Sequence, residues 1–541
     1  MACGGAAETT QPAKAKAAAT ATSFDLIIRG GDIVDGSGKA RFRGDVGIRG
    51  DTIAAIGDLA GETATTTIDA TGQVVAPGFI DLLGNSQSAV LLDPKLEGKI
   101  RQGVTTEVTG EGHSPGPVDE PMAAEMERTK PPGWPPVTWR TLGGFMREVE
   151  KKGSALNFAF YVGAANPREM VLGHSERAPN AAELRKMEVI VDAAVADGAV
   201  GLASALIYPP GRFATTGELT AMARRAGSYW THLRNESDRI ETAIDEAIRI
   251  GRDAGVPVNI FHLKIGGERN WGRMSQVIRK IEAARRSGVD IAANIYPFLA
   301  TSTDLTSIVP AWALEGGYAQ FLTRLKDPAQ RARIAQAMRE GRLRDPSSIM
   351  IRGRGRLLDM KMEPADAVIK AFEESPQSSP LAVFFSLSEA DMKLALAQPW
   401  VAVGSDSGAV VDRSKGAHPR AYATFARILS QYVREEKLLT LEEAVRKMTL
   451  FAASRARLRD RGTLAPTMKA DVVVFDPAKV RDRSTYEDPH HFSEGVSHVI
   501  VNGKAVLRDG KMTGELPGRM LRRSDLQDPA LPVKNRKDAQ P

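Results

Sequence analysis

Two histidines carry the first chemical signal in this chain. His232 stands in Thr231-His232-Leu233-Arg234 and His262 in Phe261-His262-Leu263-Lys264, 30 residues apart. Each closes an apolar, strand-like segment, and the chain has only eight histidines. Neutral imidazole is a common zinc ligand, at about 2.0–2.1 Å. Asp406 ends the run Val401-Ala402-Val403-Gly404-Ser405 in the same way. A carboxylate beside a metal-activated water can take its proton and hand it to a leaving nitrogen. Its plainer role would be to cap a helix. Three ligands are needed, and Glu111 in Thr109-Gly110-Glu111-Gly112-His113 is the first choice for the third. Flanking glycines let the backbone turn and bring that carboxylate close to an ion. His113 is the second choice.

A second group of residues could grip a substrate. Lys264 follows His262 by two positions and shares its face in an extended segment. Tyr296 ends another strand-like run, and Arg420 lies in Ala417-His418-Pro419-Arg420. Together, Lys264, Tyr296 and Arg420 could hold a carboxylate through charge-assisted hydrogen bonds. A carbamylated Lys264 bridging two metals is the alternative use of that lysine. Tyr208, in Tyr208-Pro209-Pro210-Gly211, would form a wall of the site. His418, His490 and His491 read as structural or surface residues.

These residues need a scaffold that gathers strand ends. Strand-like segments recur at Val104–Thr109, Asn157–Val162, Gly201–Ala203, Trp230–Leu233, Val258–His262, Ile291–Tyr296 and Val401–Gly404. Helical patterns intervene at Ala181–Ala196, Arg239–Ala254 and Met274–Ser287. Such alternation predicts an α/β fold, a (β/α)8 TIM barrel, whose strand C-termini converge on one face. The spacing breaks over about 301–400, which predicts an insertion lying over the barrel mouth as a lid. Short β-branched runs broken by Gly and Asp occupy 24–76 and recur over 465–520. They predict a small β-sandwich built from both chain ends, with a hairpin at Asn502-Gly503. The barrel then spans 77–464, with a tail over 521–541.

Bulk composition narrows the class. The chain has 541 residues, 42% hydrophobic and 26% charged, with 72 basic against 66 acidic residues. That balance, without a basic stripe interleaved with aromatics, disfavours nucleic acid as a partner. A small-molecule amide is the expected partner, and nothing in the sequence specifies an oligomeric state. The single cysteine, Cys3, excludes an internal disulfide. Met1-Ala2-Cys3-Gly4-Gly5 resembles the end of a bacterial lipoprotein signal, followed to residue 23 by an Ala-, Thr- and Lys-rich tether. That reading expects a lipidated Cys3, a membrane anchor and a periplasmic location. A cytoplasmic protein with an incidental thiol is the alternative.

Taken in order, the landmarks resemble the N-acyl-D-amino-acid deacylase (D-aminoacylase) branch of the amidohydrolase superfamily. They are Ala76-Pro77-Gly78-Phe79-Ile80-Asp81, Gly103-Val104-Thr105-Thr106, Gly201-Leu202-Ala203-Ser204, Thr231-His232-Leu233-Arg234, His262-Leu263-Lys264, Gly404-Ser405-Asp406, His418-Pro419-Arg420-Ala421-Tyr422 and Ala470–Phe475. The resemblance implies zinc on His232 and His262, acid–base catalysis by Asp406, and carboxylate binding by Lys264, Tyr296 and Arg420. Two departures stand out. The family's His-x-His after Phe79-Ile80-Asp81 is replaced by Leu82-Leu83-Gly84-Asn85, and its metal-binding cysteine near Glu111 is absent. The expectation is one zinc ion, with Glu111 as replacement ligand, hydrolysing linear amides of N-acyl amino acids or short peptides with a free carboxylate. Cyclic amide hydrolysis, or a non-catalytic binding protein on the same scaffold, are the alternatives.

Overall fold

The computed structural model of the protein describes Met1 and residues 24–414 and 416–523. The expected tether, with Cys3, and the tail beyond Arg523 lie outside the described residues.

The barrel strands are Phe79–Gly84, Val104–Thr109, Asn157–Phe160 continued by Val162–Gly163, Leu202–Ala205, Tyr229–His232, Val258–Ile260, Ile291–Ile295 and Val401–Val403. Neighbours pair in parallel, in one arc of three strands and one of six. The arcs share the third strand, which breaks at Tyr161. Between the last strand and the first, a parallel bridge joins Gly84 to Ser407, and Asp406 N donates to Leu83 O at 2.8 Å. The strands are buried along their whole length, as expected where helices cover one side and side chains fill the other.

Helices follow local signals in the sequence. Ala181–Asp197 begins at Asn180 with a capping box to Glu183. Ile240–Ala254 buries Ile240, Ala243, Ile244 and Ala247 on one face and stops at Gly255, whose φ of 69° suits glycine. No helix among the described residues is long and apolar enough to cross a membrane.

Both chain ends enter one nine-stranded sheet, the β-rich unit expected from the two ends. Val75 and Val474 are partners across the junction of the two ends. A single apolar cluster takes Ile28, Ile48 and Ile53 from one end and Val472, Val474 and Ile500 from the other. The sheet therefore curls over its own core. Asn502 and Gly503, both at positive φ, turn Val496–Val501 into Lys504–Arg508.

The insertion is a small α/β body. Its antiparallel sheet contains Ala300–Asp304, Leu381–Phe385, Ile349–Ile351 and Gly355–Arg356. Leu305, Phe321, Ile334, Ile349 and Phe372 belong to a core separate from the barrel's. It ends earlier than expected. The helix Glu389–Leu396 already belongs to the barrel, because Met392, Ala395 and Leu396 form an apolar stripe that enters the main core.

Candidate metal centre

Glu111, His232 and His262 converge at the C-terminal ends of the second, fifth and sixth barrel strands. His232 Nδ1 lies 2.9 Å from Glu111 Oε1, His262 Nε2 lies 3.3 Å from the same oxygen, and the two nitrogens are 3.0 Å apart. Ligands bonded at about 2.0–2.1 Å to one tetrahedral ion sit about 3.3 Å from each other. The donor set of two imidazoles and one carboxylate, at this spacing, fits zinc. It is the one such convergence of His, Cys, Asp or Glu among the described residues.

The backbone is strained to achieve this. His262 has φ of 35°, in the left-handed region that side chains other than glycine rarely adopt. Its neighbours pin it: Phe261 N donates to Thr231 O, Leu263 N to Asn294 O, and His262 N to Asn294 Oδ1 at 2.7 Å. Asn294, on the seventh strand, thereby fixes the second imidazole.

Sequence reasoning missed Glu236. It stands 3.3 Å from His232 Nε2 and 3.0 Å from His262 Nδ1, behind both imidazoles. Lys264 Nζ donates to it at 2.8 Å and approaches His262 Nδ1 at 2.7 Å. Burial disfavours charge on His232, but Glu236 and Glu111 outweigh it and push His232 up to about 9. Burial also opposes ionisation of Glu111. Its hydrogen bonds to His232 and His262 win and hold it well below the ordinary carboxylate range. Glu236 is held low in the same sense by His232, Lys264 and His262. Glu111 and Glu236 are therefore ionised beside the two imidazoles. The available signal for Glu236 was its place in the loop directly after His232.

Asp406 and Arg420 form a second pair. Asp406, with φ of 50°, follows the eighth strand, and Arg420 opens the helix Arg420–Arg427. Arg420 Nη1 lies 2.7 Å from Asp406 Oδ2, an ion pair whose alignment falls short of a hydrogen bond. Arg420 also lies 4.7 Å from the Tyr296 ring centroid. The Tyr296 hydroxyl and Arg420 Nε are buried without a hydrogen-bond partner among the described residues. Such groups are costly unless a ligand satisfies them. Lys264 lies beside them as expected, its Nζ 5.9 Å from the Tyr296 ring centroid, and also donates to Glu236.

The remaining candidates separate clearly. Tyr208 packs on His232, with centroids 5.8 Å apart, and its hydroxyl meets Thr303 Oγ1 of the insertion at 2.5 Å. His113 turns away to Glu169 at 3.1 Å and takes no part in the cluster. Both ring nitrogens of His418 are used, one facing Ala300 O and the other accepting from Arg420 N. His490 meets Tyr422, and His491 meets Asp488 on the surface.

Comparison with known proteins gives the family. The amidohydrolase family model matches residues 241–507. Over 507 residues the chain is 36% identical to the N-acyl-D-glutamate deacylase of Alcaligenes xylosoxydans xylosoxydans, covering 92% of this chain and 97% of that one. The chain belongs to the amidohydrolase family, in its N-acyl-D-amino-acid deacylase branch. A solved N-acyl-D-glutamate deacylase from Bordetella bronchiseptica, complexed with zinc and a phosphonate mimic of the tetrahedral intermediate, superposes with a TM-score of 0.79 at 33% identity, covering 93% of this chain and all (100%) of that one. A D-aminoacylase studied for its binuclear metal centre, with one-metal activation and second-metal attenuation, matches at 0.77 and 32%, covering 92% and 100%.

The segment after Phe79-Ile80-Asp81, where the resemblance expected His-x-His, is apolar at Leu83. Leu83 is fully buried in the apolar barrel interior beside Ile80 and Val108.

Proposed function

We propose that this protein is a one-zinc hydrolase of N-acyl amino acids, D-configured ones by preference. The observation that carries the reading is the convergence of Glu111, His232 and His262 within ligand distance of one another, with the Asp406–Arg420 pair after another barrel strand. Zinc on the three ligands would supply Lewis acidity for the amide carbonyl and acidify the attacking water. Asp406 takes the proton of that water at a carboxylate oxygen and returns it to the departing amine nitrogen. The unpartnered Arg420 Nε and Tyr296 hydroxyl bind the substrate carboxylate and so choose which carbonyl reaches the ion. Arg420 spans both jobs, since it holds Asp406 as well. Lys264 acts from behind, through Glu236, on the orientation of His262. Tyr208 and the insertion shelter the site from water.

A single ion is the reading favoured by local chemistry. Leu83 and Asn85 offer no imidazole, and the nearby carboxylates of Asp81 and Glu107 are engaged by Lys99. The D preference rests on the relatives' substrates. Lipid attachment at Cys3 with a periplasmic location is part of the same proposal, and fractionation of a Cys3→Ser variant tests it. For the activity itself, the zinc-replete protein is assayed for amine release from N-acetyl forms of D- and L-glutamate, aspartate and methionine. Turnover of a D-substrate, with one zinc per chain, supports the proposal. No turnover of any of these by the zinc-loaded protein refutes it.

A further inference from the structure

A buried lysine that the chemistry above does not use stands behind Asp406. Lys99 lies in the short helix Glu97–Ile100 and is fully buried. Its ammonium donates to Asp81 Oδ2 at 2.7 Å, to Ser405 Oγ at 2.8 Å and to Ser407 O at 2.6 Å. Glu107 Oε2 lies 3.4 Å away. Asp81 belongs to the first barrel strand and Glu107 to the second, while Ser405 and Ser407 flank Asp406 after the eighth. One cation thus ties three segments together across the seam of the barrel.

The loop is held at several further points. Asp81 accepts from Ser405 N at 2.8 Å and from Ser405 Oγ at 2.5 Å. Glu107 accepts from Ser86 N and Ser86 Oγ, each at 2.7 Å, and Ser86 Oγ accepts from Ala409 N at 2.9 Å. Gly84 is required here, because a Cβ would sit 2.0 Å from the Glu107 side chain. A buried ion network of this kind is costly to assemble and weak evidence for stability. It can, however, fix one geometry, and Asp406 has one to fix: its φ of 50° lies in the left-handed region, which a non-glycine residue adopts at some cost although aspartate tolerates it better than most.

We infer that Lys99 is a positioning residue for the proposed acid–base carboxylate, holding the residues on both sides of Asp406 so that its side chain faces the ion ligands and Arg420. The inference rests on the proposed hydrolytic reading for its kinetic consequence, not for its structural one. Lys99 never touches substrate. A displacement of about 1 Å at a reacting group costs on the order of a hundredfold in rate.

Two variants of the full-length, zinc-loaded protein test this. Lys99→Met removes the cation, and Ser405→Ala removes one of its two contacts with the loop and leaves the one to Ser407 O, so a folding failure of the first leaves the second. The expected result is a kcat lowered roughly a hundredfold in Lys99→Met and about tenfold in Ser405→Ala. KM should stay within about threefold, and zinc at one per chain, because neither carboxylate recognition nor the ligands are altered. A folded, zinc-replete variant with kcat within about twofold of wild type overturns the inference, and so does loss of zinc in parallel with activity. If the wild type hydrolyses no N-acyl amino acid, the proposed function fails on its own. The crystal structure of Ser405→Ala then decides the inference. Asp406 leaving its left-handed conformation and the Arg420 contact supports it, and an unmoved Asp406 overturns it.

Discussion

Lys264 donates to Glu236 at 2.8 Å, and the Glu236 carboxylate backs both imidazoles of the metal centre. A residue expected to meet the substrate thereby also supports the ligands. Partners of this kind fix ring orientation and raise ligand basicity, and losing one typically costs ten- to a hundredfold in metal affinity. Glu236→Gln should lower zinc affinity by about that factor, measured by competition with a chromophoric chelator. Unchanged affinity would show that the carboxylate serves another purpose.

Glu111 makes a sharper chemical prediction. Its carboxylate oxygen is the point at which both imidazole nitrogens meet. Glu111→Ala should lose zinc during dialysis. Glu111→Cys should retain it, because a thiolate is also a good zinc ligand, at about 2.3 Å. Metal analysis of the two dialysed variants checks this, and equal zinc content in both would refute the assignment.

Arg420 contacts Asp406 and keeps a spare buried donor. Arg420→Ala should therefore lower kcat/KM for N-acyl amino acids by roughly a hundredfold, on the scale of a lost charge-assisted hydrogen bond. Against the corresponding N-acyl amino-acid amides, which lack the carboxylate, the KM component should be close to wild type. An equal rise in KM for both substrates would remove the carboxylate-binding role.

How much of this was legible in the sequence depends on the kind of contact. His232, His262, Glu111 and Asp406 could be read because each follows an apolar strand, and barrel strand ends share one face. Glu236 and Lys99 could not. Glu236 lies in a polar loop, where a carboxylate has no periodic signature. Lys99 sits in a helix of one turn, and its partners Asp81 and Ser405 are 324 residues apart in the chain. Lys264 shows the opposite limit. Its position beside His262 was readable, but which anion it faces depends on a loop from the preceding strand. The insertion's extent was misread for a similar reason: the helix that ends it, Glu389–Leu396, carries a barrel-facing stripe too short to stand out.

The eighth strand also has a pH-dependent anchor. Lys447 Nζ donates to Val401 O at 3.0 Å and to Gln398 O. Burial drives its pKa down from 10.5 to about 8, with Glu443 only partly opposing it. Between those values the unfolded chain binds more protons than the folded one. Stability from this group is full above the unfolded value and is lost as pH falls through about 8. Relative to Lys447→Met, wild type should gain about 3 kcal/mol between pH 8 and 10.5, the scale of such a shift. Urea unfolding of both proteins at pH 7.5 and 10 measures it. Parallel behaviour of the two would contradict the shift.

The most direct measurement is anomalous scattering at the zinc edge from crystals of the zinc-loaded protein. The account predicts one strong peak, bonded to Glu111, His232 and His262 at about 2.0–2.2 Å, on the side facing Asp406. A peak bonded elsewhere, or a site in which Glu111 turns away from the ion, would contradict it.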